Sequence, residues 1–419
     1  MKMFGVAVTL VFLATLSYAE IGKVEVSGSL EVQKISLNNS TDYADYDKGA
    51  NDDAVSETRS RLLLGLDAPV SEGVAGKILL SKNNRRYGTA EESAGSAQWQ
   101  INIKNAYLVL DDFLDILKVT LGRQFIGEQG DLALYYGPTQ DDNLSIAAVD
   151  GLKAEATFGS IDMAFLNYKL AETGAAISTD VDLAGVVLKS GKLLSGVDLG
   201  AYAYQKIDRS GGKTQVDRDD LRILGIKANA EIPAVEGLRA KAEYAMNAGP
   251  DKSGAATVNH SGNALIIGVS YEGLNVGGPL KVSVESAAGS GDKVSADKDE
   301  DFESVSSDLR YGEIWANSLG NVGITDRNII KVGFGWDPDF SNRLSASLDY
   351  LTFTESEVAS GAKDDWGSEI DLKVKWQQSE NVALEIVAAQ LMPGDAMTGG
   401  GTNPNDPIAK LAANLKVSF

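Results

Sequence analysis

The sequence predicts an all-β fold: one transmembrane antiparallel β-barrel of about 18 strands, an even count as single-chain bacterial barrels require. Three observations lead there. Segments of roughly ten residues alternate apolar and polar side chains from Lys23 to the last residue. The connections between segments alternate between short and long. The final segment is amphipathic and ends on an aromatic residue.

The opening residues read as a secretory signal. Lys2 precedes an apolar stretch from Phe4 to Leu16, and Ser17, Tyr18 and Ala19 form a small-residue end with cleavage expected before Glu20. That stretch is too short to span a bilayer as a helix, and no later segment has the uninterrupted apolar run that a spanning helix needs. The expected organisation is therefore a signal peptide over residues 1–19 and a barrel over residues 20–419, placed in the outer membrane.

Alternation is clearest in three segments. In Gln98 to Leu110, the residues Trp99, Ile101, Ile103, Tyr107 and Val109 share one face, and Gln100, Asn102 and Lys104 share the other. Leu238, Ala240, Ala242, Tyr244 and Met246 oppose Arg239, Lys241 and Glu243. Ile370, Leu372, Val374 and Trp376 oppose Glu369, Asp371, Lys373 and Lys375. Periodicity alone does not separate a soluble sandwich from a barrel, but connection lengths do. Short links include Gly159 to Ser160, Pro233 to Gly237 and Gln378 to Asn381; long ones include Ser36 to Val55, Gly127 to Ile146 and Ala288 to Asp326. Short periplasmic turns and long extracellular loops are how outer-membrane barrels are built. Val181 to Lys206 alternates poorly.

The chain closes with Leu411, Ala413, Leu415, Val417 and Phe419 alternating with polar or small residues. A terminal aromatic on an amphipathic strand is the address read by the barrel assembly machinery. Trp99, Tyr107, Phe158, Tyr244, Tyr271, Trp336, Trp376 and Phe419 are expected on the lipid side, where amphipathic rings settle at the interface.

Composition excludes several classes. The 419 residues include no cysteine, which removes disulfide and thiol chemistry, and the net charge of -21 argues against nucleic acid. The only histidine is His260, flanked by Asn259 and Ser261; an adjacent serine does not meet the geometry of a Ser-His-acid site, no histidine cluster offers a metal site, and no phosphate-cradling loop is present. The sequence thus predicts neither enzyme nor cofactor. The acidic stretches Asp42 to Glu57 and Asp292 to Asp308 lack the calcium-loop pattern and read as solvated charge runs.

A barrel of this size encloses an aqueous lumen, and sorting charges by face gives its lining. Arg59, Arg61, Lys104, Arg239, Lys241, Lys331, Lys373 and Lys410 fall on the water side with Glu31, Glu243, Glu369 and Asp371. Cations slightly exceed anions there, so the acidic excess is expected in the loops. Arg59 and Arg61 share one face of a strand whose other face is Leu62, Leu64 and Leu66. Planar guanidiniums suit bidentate contact with sugar carboxylates; equally, they could neutralise lumenal carboxylates such as Glu25 and Glu31.

The segment GSEIDLKVKWQQSENVALEIVAAQLMPGDAM, from Gly367 to Met397, resembles the last hairpins of alginate-export-type porins, with Pro393, Gly394 and Asp395 matching a loop landmark. The run Thr120 to Gln124 and Tyr136 to Pro138 are similar to further landmarks of that family. The resemblance covers the last part of the chain and one early strand. It implies an 18-stranded barrel that passes anionic polysaccharides or small solutes, and it favours an inward Arg123, reached through a bulge at Gly122; strict alternation instead groups Arg123 with Val119 and Leu121 on the lipid face. The lumenal mixture is less basic than that family's constriction. The expected partners are small polar or anionic saccharide solutes and outer-membrane lipids; a homo-oligomer is compatible with the pattern without being demanded by it. The alternative reading is a plugged surface-interaction barrel, closed by the loop from Ala288 to Asp326.

Overall fold

The computed structural model describes residues 23–40, 53–87, 101–172, 180–210, 217–254, 257–293, 297–399 and 406–419. The expected signal peptide, Trp99 and the acidic stretch up to residue 52 lie outside the described residues.

Among the described residues, 18 strands form one closed barrel. They are β1 (Glu25–Asn38), β2 (Val55–Ser71), β3 (Val74–Arg86), β4 (Asn102–Phe113), β5 (Leu117–Gln124), β6 (Val149–Phe158), β7 (Ile161–Ala171), β8 (Val181–Leu194) and β9 (Val197–Asp208). The second half comprises β10 (Asp219–Glu231), β11 (Leu238–Ala248), β12 (Asn263–Asn275), β13 (Pro279–Gly289), β14 (Arg327–Trp336), β15 (Leu344–Glu355), β16 (Asp365–Ser379), β17 (Val382–Pro393) and β18 (Ile408–Ser418). Each strand pairs antiparallel with the next. β1 closes the ring against β18, with Ser29 opposite Ser418 and Asn38 opposite Ala409. Phe419 completes the seam, donating its N–H to Gly28 O at 3.0 Å and accepting from Gly28 N at 2.8 Å. The poorly alternating region is the hairpin β8–β9, whose register shifts between Ser190 and Leu194.

Turns explain the sorting of connections. Glu72–Gly73 and Ser195–Gly196 are two-residue links, and Gly73 (φ 71°) and Gly196 (φ 75°) occupy the left-handed region that such tight hairpins need. The opposite end carries the long connections. Seen from outside, the wall is apolar: Ile103, Leu121, Phe165, Ile226, Ile267, Ile330 and Leu411 are exposed. Such a surface is stable against hydrocarbon and not against water. Phe158, Tyr244, Trp376 and Phe419 are also exposed, while Tyr271 and Trp336 share strand faces with exposed Ile267 and Ile330. Trp336 donates its indole N–H to Val276 O at 3.1 Å in a short turn.

Two expectations of orientation are corrected. Leu79 pairs with Asn105 and Leu80 with Ile103, so Lys104 is the extra residue of a β-bulge. Beyond it the alternation reverses. Ala106 and Leu108 face lipid, whereas Tyr107 and Val109 turn inward, which removes Tyr107 from the outer belt. At Gly122 no bulge occurs: the ladder runs unbroken from Leu121 to Gln124 on β6 and through Arg123 on β4. Arg123 therefore shares the outward face of Leu121, at the long-loop rim, and ion-pairs with Asp150 at 2.5 Å. It does not line the lumen.

Ile226, near the middle of β10, is 63% exposed on the outer wall. Ile226→Arg is expected to destabilise the barrel by about 2–4 kcal/mol, the cost of a cation at the bilayer midplane. Urea titration of the protein folded in vesicles measures it.

Candidate functional site: a lumen bridged by two inward loops

Inward faces of the strands alternate with the lipid belt and supply a polar lumen, but two long connections fold into it. The first is residues 125–148. A short ladder within it ties its start to its middle, pairing Ile126 with Tyr136 and Gly127 with Tyr135. The second, residues 290–326, contains a π-helical turn, Gly312–Ala316. They meet inside the barrel: Val305 N donates to Ala133 O at 3.0 Å, Tyr135 N to Ser306 O at 2.7 Å, and Gln129 Nε2 to Asp308 Oδ2 at 2.7 Å. Leu132, Leu134, Phe302, Ile314 and Trp315, all from these loops, are almost completely buried. Trp315 stacks on Phe353 of β15 with ring centroids 4.6 Å apart. The loops thus carry an apolar core of their own, packed against the inner wall.

Charged wall residues hold this bridge. Arg61 pairs with Glu31 at 2.7 Å and donates to Thr139 O at 2.9 Å and Ser145 O at 3.3 Å. Arg59 pairs with Glu57 at 2.5 Å and donates to Asp142 O at 3.1 Å and to Asn143 Oδ1. Both guanidiniums are buried and saturated. Lys104 donates to Ile146 O at 2.9 Å. Four strands round the wall from β2, on β16, Glu369 accepts from the N–H groups of Ile314 (2.6 Å) and Trp315 (2.9 Å), Asp371 from that of Glu313 (3.1 Å), and Lys373 pairs with Glu313. These two carboxylates cap the donor end of the π-helical turn, as acids at helix N-termini do.

Lys410 joins the two loops. Its ammonium, with a side chain 1% exposed, lies 2.8 Å from Asp142 Oδ1 of the first loop and 2.8 Å from Glu313 O of the second. Ser318 adds a hydroxyl bond to Asp142 at 2.6 Å. Alternation places Lys410 in the lumen, but its role as the link depends on two loop residues far away in sequence. Burial opposes the ionisation of Glu313 most strongly. The ammoniums of Lys373 and Lys410 together outweigh it and hold the carboxyl at about 2.

The remaining expected residues line space below the bridge, toward the short turns. Arg239, Lys241 and Lys331 border a cavity of ≈ 740 Å³ with Glu231, Lys281 and Glu285. Lys241 pairs with Glu285 at 2.6 Å, Lys331 with Asp349 at 2.9 Å, and Arg239 with Glu231 at 3.3 Å. Glu243 accepts from the Tyr202 hydroxyl at 2.7 Å. A second cavity of ≈ 1010 Å³ is bordered by Glu128, Asp131, Lys189, Lys227 and Tyr202. Lys227, which the sequence reading did not single out, reaches both Asp131 (2.8 Å) and Glu128 (3.1 Å) of the first loop. Each lumenal cation named here except Lys104 has a carboxylate partner, and the lining is an ion-pair ladder. The arrangement can narrow a passage and present alternating charges to a solute.

No family model matches the chain, and no curated protein sequence matches it. Solved structures match its fold over nearly the whole length. They include OprD from Pseudomonas aeruginosa (TM-score 0.60, 10% identity, 96% of each chain covered) and Acinetobacter baumannii OccAB2 (TM-score 0.61, 12% identity, covering 94% of this chain and 98% of that one). Pseudomonas aeruginosa OccK11 (OpdR) is similar, with a TM-score of 0.60 at 12% identity over 94% of this chain and 96% of its own. The fold is that of an 18-stranded outer-membrane porin barrel.

Two outcomes are expected. Lys410→Met removes one partner of a buried ionic cluster, at a cost of roughly 3–5 kcal/mol. The loops should loosen while the barrel persists, seen as proteolysis within residues 125–148 and unchanged strand content by circular dichroism. Because Glu313 is more acidic when docked than when free, its contribution to docking is complete above the ordinary carboxyl value of 4.5 and is lost as pH falls toward about 2. Protease protection of the second loop should decline across that interval and hold at higher pH.

Proposed function

We propose that this chain is a selective outer-membrane diffusion channel for small polar and charged solutes. The observation that carries the reading is the bridge itself: two loops cross a lumen wide enough for free solvent and leave ion-lined cavities beneath. A porin fold over almost the full chain supports it. Weak, repeated charge contacts suit conduction, because a single tight site would trap its ligand.

The anionic-saccharide reading belongs here as its finer form. Arg239 and Lys241 keep about half of their side-chain surface exposed within the ≈ 740 Å³ cavity, so they are better placed for a uronate than the buried Arg59 and Arg61. Glu231 and Glu285 in the same wall favour small zwitterionic or mixed-charge solutes over a strongly acidic polymer. Delivery follows from the expected leader, residues 1–19, and from Phe419, whose outward ring at the barrel seam suits recognition by the assembly machinery. A second reading, a plugged surface-interaction barrel, draws on the apolar contact between the two inner loops around Leu134, Phe302 and Trp315.

Planar-bilayer recording separates these readings. The expected result is a small, stable conductance that Lys410→Met increases. Arg239→Ala with Lys241→Ala should shift selectivity toward cations, and added uronate oligosaccharides should block the wild type only weakly. A silent wild type that stays silent after Lys410→Met would establish the plug.

A further inference from the structure

The long-loop end holds a second concentration of titratable groups, apart from the ion pairs that hold the bridge. His260, the chain's only histidine, has a side chain 3% exposed. Its Nε2 lies 2.8 Å from Asp219 Oδ1, at the start of β10, and its Nδ1 lies 3.7 Å from Asp299 Oδ2. Ligand-capable atoms of Asp219, His260 and Glu303 all fall within 4.8 Å of one another. Nδ1 is buried and has no hydrogen-bond partner. A buried ring nitrogen left unpaired costs free energy unless something else engages it.

Backbone contacts fix this constellation. His260 N donates to Gly249 O at 2.9 Å, and His260 pairs with Asp299 in a short parallel bridge. Glu303 N donates to Asn247 Oδ1 at 2.7 Å, while Asn247 Nδ2 returns a bond to Glu303 O at 2.9 Å. The charges around the imidazole are mostly negative. Burial raises the Glu303 carboxyl most; His260 is the strongest opposing group, Asp299 and Asp219 raise it further, and Lys206 opposes weakly. Asp301 is raised in the same way, by burial and then by Asp299, Asp326 and Asp292. The stretch read from sequence as a solvated charge run is thus partly buried and short of positive charge.

We propose that His260 through Nε2, with Asp219 and Glu303, binds one first-row divalent cation of the zinc class, while Asp299, on the Nδ1 side of the ring, orients the imidazole from outside the ligand set. An imidazole among carboxylates suits zinc better than calcium, which prefers oxygen ligands alone. Zinc bonds of about 2.0–2.1 Å place neighbouring ligands of a tetrahedron roughly 3.3 Å apart. The observed separations, from 2.8 Å to within 4.8 Å, bracket that edge, so small side-chain shifts complete the site. Binding displaces the proton shared between His260 and Asp219, and any proton on Glu303, to solvent. The cation would staple the start of β10, residues 249–262 and residues 290–326, the last of which run on to the bridge in the lumen.

The full chain, purified in detergent and stripped with a chelator, is titrated with Zn²⁺ by calorimetry, and metal content is measured by mass spectrometry. One cation per chain with proton release is expected, and Co²⁺ should give the visible band of a tetrahedral site. Glu303→Gln, which keeps size and hydrogen bonding, should weaken Zn²⁺ about tenfold or more, by analogy with the loss of groups supporting a metal site. His260→Gln should abolish the Co²⁺ band while heat-modifiable gel migration shows a folded barrel. The proposal fails if the wild type takes up no stoichiometric Zn²⁺, if both variants bind it unchanged, or if Ca²⁺ binds as well as Zn²⁺ and does so without His260.

Discussion

In hydrocarbon no water is available to satisfy a backbone N–H or C=O, so a spanning sheet must have no free edge. The pairing of β1 with β18, continued by the reciprocal bonds of Phe419 and Gly28, meets that demand. The rest of the structure depends on it. Closure sets an inside and an outside, and the two-residue period of a strand then assigns every side chain to lipid or to lumen. Lys410 and Leu411 are neighbours in sequence, yet one is buried among carboxylates and the other is exposed on the outer wall.

The lumen has the opposite problem. A ring of 18 strands is too wide for wall side chains to fill, and the chain fills it with two of its own loops. These bring both apolar residues and backbone donors inside, and the wall answers each kind. Phe353 and Trp366 receive Trp315, with the Arg327 guanidinium 4.4 Å from the Trp366 ring centre. Glu369 and Asp371 receive the exposed amides of the π-helical turn, and Arg59, Arg61 and Lys410 receive carbonyls and carboxylates. Charges that composition alone would offer to a solute are therefore mostly engaged in holding the constriction. The cations left half exposed lie lower, Arg239 and Lys241 among them.

Legibility in the sequence followed the physics of each feature. The hairpin links at Gly159–Ser160 and before Val382, the long connections and the strand number were readable, because turn chemistry and alternation are local. Arg59 and Arg61 share one inner face of β2, as alternation expects. Arg123 was misplaced because the inferred bulge at Gly122 does not occur. The real bulge sits at Lys104, where no glycine marks it, and it reversed Tyr107. The partners of Glu369, and the meeting of His260 with Glu303, could not be read, since they join residues dozens of positions apart.

By itself, the sequence determined the barrel: period, turn residues and terminal strand are properties of neighbouring residues, and they hold whatever the rest of the chain does. Only the tertiary structure decided what the lumen contains. The folding of residues 125–148 and 290–326 inward, and the choice of Lys410 to link them, result from burying apolar loop surface and pairing charges across the ring. Those energies exist only once closure has brought distant strands to face one another.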